Sequence, residues 1–278
     1  MTSRKTWIIT GAARGLGLSI TAAALEAGHN VVAGARKRDG LADLIEAYGE
    51  RLVPVTLDVT DRDAAAAAVS TAIERFGTVD VLVNNAGYAD VAPIEDMEEQ
   101  TFRAQIETNF FGVVNLSRAV LPVMRKQGSG RIIQVSSVGG RIGGPGLSAY
   151  QSAKWAVNGF SEVLSREVAS FGIKVTVAEP GGMRTDWAGS SMDIPAISDA
   201  YAPVLGPVVE RLRGASGRQP SDPDRIARVL LKIAEAPEPP LRLLLGSDAV
   251  EVARQAAERL AATDAQWRTT SESVAYPS

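Results

Sequence analysis

Seven short apolar runs recur along the chain, at residues 5–10, 30–35, 51–57, 79–83, 131–135, 173–178 and 241–245. Stretches with helical spacing of apolar residues lie between them, at 15–27, 61–76, 98–125, 149–168 and 222–236. Regular strand–helix alternation has few solutions. Each helix carries the chain back to begin another parallel strand, and the helices then cover both faces of one sheet. The expected fold class is therefore α/β, a single doubly wound domain over 1–278 with a mostly parallel sheet of about seven strands. The length suits one large α/β domain or two small ones, and 45% hydrophobic residues are ample for a buried core.

The first run leads into Thr10-Gly11-Ala12-Ala13-Arg14-Gly15-Leu16-Gly17 and then a helix. Glycines between a strand and a helix let backbone approach a phosphate, which the helix N-terminus stabilises through free N–H groups and its dipole. The spacing Gly-x-x-x-Gly-x-Gly differs from the Gly-x-Gly-x-x-Gly fingerprint of other dinucleotide-binding folds. Alone, the three glycines also fit a plain tight turn. The second run ends in Ala35-Arg36-Lys37-Arg38, without the acid that binds a ribose 2′-hydroxyl in NAD-preferring folds. Arg36 and Arg14 are candidates for a 2′-phosphate; the other reading is a solvated basic turn.

The fifth run enters Ser136-Ser137, a glycine-rich loop follows, and a helix opens with Tyr150-Gln151-Ser152-Ala153-Lys154. Residues at i and i+4 share a helix face, so a phenol stands beside an ammonium. A phenol titrates near ~10, and a nearby positive charge favours phenolate. Lowering it by about 2–3 units takes roughly 3–4 kcal/mol. Ser137 is placed to donate a hydrogen bond to a substrate oxygen that gains charge. Tyr-x-x-x-Lys by itself equally describes a solvated helix face.

With the glycine motif, Asn84-Asn85-Ala86-Gly87 and this tyrosine–lysine pair in the same order and spacing, the chain resembles the short-chain dehydrogenase/reductase family, in its compact branch. Glu179-Pro180-Gly181-Gly182 and Arg242-Leu243-Leu244-Leu245-Gly246-Ser247-Asp248-Ala249 look most like its hydroxysteroid-dehydrogenase-like subgroup. The resemblance implies a Rossmann-type sheet of order 3-2-1-4-5-6-7 and hydride transfer between nicotinamide and an alcohol, ketone or aldehyde; the basic tip of the second strand makes NADP(H) the expected form, and the large apolar side chains at 187–205 make an apolar substrate the expected one. NADP is the expected cofactor, with NAD second. Tyr150 is the implied acid–base, Lys154 lowers its pKa and binds the nicotinamide ribose, Ser137 orients the substrate oxygen, and Asn109 holds a water linking the lysine to solvent. The implied cofactor site comprises Gly11, Arg14, Gly15, Leu16, Gly17, Arg36, Asp58, Val59, Asn85, Ala86, Gly87, Tyr150, Lys154, Pro180, Gly181 and Thr185. A homodimer or homotetramer is implied through the helices at 98–125 and 149–168.

Residues 183–220 are Gly/Pro/Ser-punctuated around a helix at about 199–213 and carry Trp187, Met192, Ile194, Ile197, Tyr201 and Leu205. Such a segment is a substrate lid, or packs its own subdomain or a subunit contact. A last helix is expected from a Ser247 or Asp248 cap to about Ala262, within a C-terminal helix and tail at 247–278 that is polar and mobile from 269. His29, the one histidine, reads as a surface turn residue.

With 29 basic and 32 acidic residues, the net charge of -3 argues against a nucleic-acid partner. The absence of cysteine excludes disulfides, thiolate catalysis and Cys-held metals, and suits the cytoplasm. No metal site, signal peptide or membrane partner is expected. Two rivals stand beside the oxidoreductase: an epimerase or dehydratase on this scaffold, and a non-catalytic NAD(P)-binding sensor or scaffold. The glycine spacing disfavours the former and the intact Tyr150 and Lys154 disfavour the latter.

Overall fold

The protein was analysed as a computed structural model that describes residues 4–185 and 192–276. Seven strands form one sheet of order β3-β2-β1-β4-β5-β6-β7: β1 (Thr6–Thr10), β2 (Asn30–Ala35), β3 (Leu52–Thr56), β4 (Val81–Asn84), β5 (Gly130–Val135), β6 (Ile173–Pro180) and β7 (Arg242–Leu245). Every pairing is parallel, so the sheet is wholly rather than mostly parallel. The helices are α1 (Gly15–Glu26), α2 (Ala42–Tyr48), α3 (Arg62–Phe76), α4 (Glu99–Ile106), α5 (Gly112–Gln127), α6 (Ser148–Val168), α7 (Ala202–Ala215), α8 (Pro223–Glu235) and α9 (Ser247–Glu272).

Strand alternation divides the core. Trp7 and Ile9 of β1 face Leu16 and Ile20 of α1 and Ile226 and Leu230 of α8. Ile8, between them in sequence, faces the other side with Leu116 and Val120 of α5 and Leu164 of α6. The strand order reverses at β1, which pairs with β2 on one side and β4 on the other. A crevice opens at the carboxyl ends of strands flanking such a reversal, and the candidate site lies there.

Local chemistry sets several boundaries. Asp61 caps α3 by accepting from the N–H groups of Asp63 and Ala64, and Gly77, at φ 79°, ends it. Asp222 caps α8 in the same way, with Pro223 in the first turn. The helix expected at 98–125 is continuous but contains a π-turn, Glu107–Phe111, which joins α4 to α5 and carries Asn109. The apolar period does not reveal it, because both halves keep their buried faces. Helix α2 was not expected: it is seven residues long, and only Leu44 and Tyr48, half-buried against the core, mark its inner face.

His29 is buried, not a surface turn residue. It is 3% exposed, stacks on Trp7 with ring centroids 5.9 Å apart, and accepts from the Lys5 N–H at 3.3 Å. Burial lowers its pKa. The last helix passes 262 and runs to Glu272, so the expected mobile tail from 269 begins as helix; an Arg268–Glu272 pair at 2.7 Å supports that end. Its cap position is Gly246, at φ 116°, and neither Ser247 nor Asp248 caps it. Among the described residues no helix is long and apolar enough to cross a membrane.

Ile8→Ala should cost about 2–5 kcal/mol in urea unfolding, because it opens a cavity under the central strand. Ile94→Ala, at a side chain 75% exposed, should stay within about 0.5 kcal/mol.

Candidate active site

The cleft begins at the turn between β1 and α1. Gly11 takes φ 64°, and a Cβ there would stand 3.0 Å from both Ala86 Cα and Asn85 Nδ2. A Cβ at Gly17 would overlap the Gly11 carbonyl oxygen and stand 2.6 Å from Asn85 Nδ2. The glycines thus bring the turn against the end of β4. Helix α1 opens without a side-chain cap and without an acid in its first turn. That leaves an N-terminus suited to an anion. Leu16 is buried under the turn. Thr185 lies across it: a Cβ on Gly15 would be 3.4 Å from Thr185 Cβ.

One end of the cleft is lined by Arg14, Arg36, Lys37, Asp58 and Val59. Asp58 Oδ1 accepts from the Thr60 N–H at 3.0 Å and the Thr60 hydroxyl at 2.8 Å. These bonds, with a smaller contribution from Arg36, lower its pKa. Val59 packs on Gly112, and its carbonyl accepts from Asn115 at 3.0 Å.

Asn109 is fully buried. Its Nδ2 donates to the carbonyls of Tyr88 at 2.9 Å and Gln105 at 2.8 Å, and its Oδ1 accepts from the Tyr88 N–H at 3.2 Å. A Cβ at Gly87 would stand 2.5 Å from that Oδ1 and 3.6 Å from Lys154 Nζ, so Gly87 separates the two side chains. The π-turn therefore aims Asn109 at the chain just beyond β4.

Tyr150 and Lys154 sit in the first two turns of α6. Lys154 Nζ is 5.5 Å from the Tyr150 ring centroid and donates to the Val135 carbonyl at 2.8 Å. Ser137 hydrogen-bonds the Tyr150 side chain and also accepts from the Gly139 N–H at 3.0 Å. Burial pushes the Tyr150 phenol up to about 12, against the lowering effect of Ser137. Burial pushes Lys154 down to about 8. The chain by itself thus raises the phenol pKa, opposite to the shift expected from its lysine neighbour. Desolvation is the largest cause of the shift and outweighs the hydrogen bond from Ser137 that opposes it.

The floor at the end of β6 is Pro180, Gly181 and Gly182. Asp248 of α9, read from sequence as a cap, turns inward and accepts from the Gly182 N–H at 2.7 Å. Gly181 leaves the room it occupies. Sequence reasoning also missed a buried clasp. Glu179, 0% exposed, takes a fork from Arg141 (Nε at 3.0 and 2.9 Å, Nη2 at 2.5 Å) and a bond from Asn158 at 2.9 Å. It ties the Ser137 loop, β6 and α6 together. The available signal was an acid at the buried end of a strand, directly before Pro180.

Ser137, Tyr150, Lys154 and the expected cofactor-site residues Gly11, Arg14, Gly15, Leu16, Arg36, Asp58, Val59, Asn85, Ala86, Gly87, Pro180, Gly181 and Thr185 all line one cleft of ≈ 1220 Å³. Gly17 and Asn109 stand behind its wall. Tyr88, Thr108, Arg211, Arg218 and Gln219 also line it and were not foreseen. Beside Tyr150, a separate apolar cluster gathers Ala89, Val91, Met192 and Val209, with Ile194, Ile197, Leu147 and Leu212 against it. Trp187 lies outside the described residues.

The residues fit a dinucleotide: a glycine turn at a bare helix N-terminus, basic groups at one end, and a phenol–ammonium pair at the other. A family model described as short chain dehydrogenase matches residues 5–193. The chain is 57% identical over 265 residues to Oxidoreductase BOA17 of Botryotinia fuckeliana, covering 95% of this chain and 97% of the relative. A short-chain dehydrogenase from Streptomyces avermitilis superposes with TM-score 0.93 at 38% identity, over 99% of this chain and 100% of that one. A short chain dehydrogenase from Burkholderia cenocepacia, solved in complex with NADP, gives TM-score 0.74 at 27% identity, over 95% and 97%.

The depressed lysine makes a stability prediction. Between about 8, its folded value, and ~10.4, its unfolded one, the unfolded chain holds the extra proton, so stability rises with pH. Lys154→Met removes that dependence. Calorimetry at pH 7 and pH 10 should show the wild type gaining on the variant at the higher pH; a constant difference would refute the assignment.

Proposed function

The chain belongs to the short-chain dehydrogenase family and is an oxidoreductase for alcohol/carbonyl pairs that uses a nicotinamide dinucleotide, and we propose that it prefers NADP(H) and an apolar substrate. The observation that carries this reading is the meeting of Ser137, Tyr150 and Lys154 at the end of a glycine-lined cleft whose other end is basic.

In the proposed complex, Gly11, Gly15, Leu16 and Gly17 accommodate the pyrophosphate, with Thr185 opposite. Asp58 and Val59 flank the adenine, and Asn85, Ala86 and Gly87 the riboses. Pro180 and Gly181 back the nicotinamide, and Lys154 binds its ribose. Bound there, the nicotinamide supplies or accepts the hydride, as cofactors carry such chemistry. The chain handles the proton. In reduction Tyr150 gives its phenolic proton to the carbonyl oxygen, while Ser137 donates a hydrogen bond to that same oxygen. In oxidation the phenolate takes the proton back. A phenol held protonated at neutral pH suits reduction directly. Oxidation needs the positive charge of Lys154 close by, and Asn109 supports the route by which the lysine regains its proton.

The segment at 183–220 is proposed as the substrate cover. Its support is the apolar cluster of Met192 and Val209 with Tyr150, and the anchorage of Asp193 and Ser198 to Asp90 and Asp96. Closing such a cover excludes water and strengthens the polar contacts beneath it.

Screening NADPH oxidation over aldehydes, ketones, quinones and steroids should reveal turnover, and Tyr150→Phe should reduce kcat by about 10²–10⁴-fold while cofactor binding persists. Near-wild-type kcat in Tyr150→Phe would exclude the proton role. For the cofactor, a charge-assisted arginine–phosphate bond contributes about 1.5–3 kcal/mol, enough for roughly tenfold preference. Arg36→Ala should therefore lower kcat/KM for NADPH and leave NADH nearly unchanged. Equal losses, or a wild type that prefers NADH, would sink the NADP assignment.

A further inference from the structure

Gln151 directly follows Tyr150 and has no part in the proton chemistry above. It lines the cleft, yet only 8% of it is exposed. Its Oε1 accepts from the Gly144 N–H at 2.6 Å. A backbone N–H can only donate, so this bond settles which end of the side-chain amide is oxygen. The other end is the nitrogen, with two N–H groups to give. Among the described residues Nε2 has no acceptor, and it is not sealed off from the cleft.

This donor stands beside the reacting groups. A Cβ built on Gly139 would be 3.3 Å from Ser137 Oγ and 3.5 Å from Gln151 Nε2, so the two polar atoms border one small space. Ser137 in turn hydrogen-bonds Tyr150. Ile142, Leu147 and Leu212 line the same cleft, and their side chains offer no acceptor. Leaving a nearly buried donor unpaired is unfavourable, so an acceptor arriving with a ligand completes the site. Ligand pockets fix orientation in this way, with a few polar groups set in apolar walls. The ligand concerned is the substrate, because Gln151 lies with Ser137 and Tyr150, whereas the nicotinamide is assigned to the floor at Pro180 and Gly181.

We propose that Gln151 selects carbonyl substrates bearing a second oxygen acceptor one or two carbons from the reacting carbonyl, as in 1,2-diketones and 3-oxo esters. The inference rests on the placement of the reacting oxygen between Tyr150 and Ser137. With that oxygen held there, its neighbour accepts from Gln151 Nε2, and the rest of the substrate meets the apolar wall. The bond to Gly144 supports this role: it spends the amide oxygen and holds the nitrogen in place, so the donor is oriented before any substrate arrives. A side chain that served only to tether Gly144 would need the oxygen alone.

The test compares paired substrates that differ in the oxygens beside the carbonyl: ethyl 3-oxobutanoate with heptan-2-one, and 1-phenylpropane-1,2-dione with 1-phenylpropan-2-one. Gln151→Glu matches glutamine in shape and keeps the oxygen that holds Gly144, but replaces the two N–H donors with an acceptor. In at least one pair it should lower the ratio of kcat/KM, oxygenated substrate over plain ketone, roughly tenfold. The loss should appear in KM, because the bond is made on binding and kept through the reaction. Gln151→Met, which removes the donors without adding charge, should lower the same ratio. A structural role would depress both members of a pair alike, so ratios unchanged in both variants would overturn the assignment while leaving the oxidoreductase reading intact. No turnover of any carbonyl with either cofactor would overturn the proton-transfer reading and this assignment together.

Discussion

The Thr10 hydroxyl accepts the N–H groups of Asn85, at 2.9 Å, and Ala86, at 3.0 Å, while the Thr10 carbonyl accepts from Asn85 Nδ2 at 2.9 Å. These three bonds join the ends of β1 and β4, where the sheet reverses its order. Both strands must stop there, and their last polar groups need partners once the sheet ladder ends. Threonine meets the need with one side chain, and the glycines of the following turn can then press against the join. The cleft is a consequence: its phosphate-facing turn and its ribose-facing wall are two sides of one hydrogen-bonded seam.

The opposite end of the cleft is organised by burial of charge. Lys154 is 4% exposed, with a backbone carbonyl as its near partner, and Glu179 is 0% exposed within the arginine fork. Such groups contribute little net stability, since desolvation offsets much of their attraction. What they supply is position. Arg141 and Asn158 meet on one carboxylate, fixing the loop after Ser137 relative to the helix that carries Tyr150. The same dryness that raises the Tyr150 pKa also strengthens hydrogen bonds made to a reacting oxygen. In this site proximity of the two groups follows from helix spacing, whereas their titration follows from how completely the domain covers them.

Asn109 and Asp248 show how local signals mislead. An asparagine within a long amphipathic pattern gives no local sign of a π-turn, yet the helix inserts one there and commits the side chain to Tyr88. An aspartate near a helix start reads as a cap, yet Asp248 accepts from Gly182, 66 residues away. In both cases the decisive partner is distant in sequence. The extended α9 failed for a different reason: apolar periodicity reports helices that pack on their own chain, and this one has outgrown its own domain.

The sequence by itself determined the α/β class, the strand positions, the glycine turn and the tyrosine–lysine pair. Each rests on short-range rules: apolar runs with a strand's length, glycine where backbones crowd, and one helical turn between Tyr150 and Lys154. Ser137 was legible as well, because it follows the fifth apolar run by two residues, in the same stretch that leads to Tyr150 and Lys154. Only the tertiary structure decided that all seven strands run parallel, that Glu179 is clasped by Arg141, that His29 is buried on Trp7, and that Tyr150 titrates upward. These depend on which surfaces exclude water and which distant groups meet. Desolvation and long-range pairing are properties of the packed whole, and no local spacing encodes them.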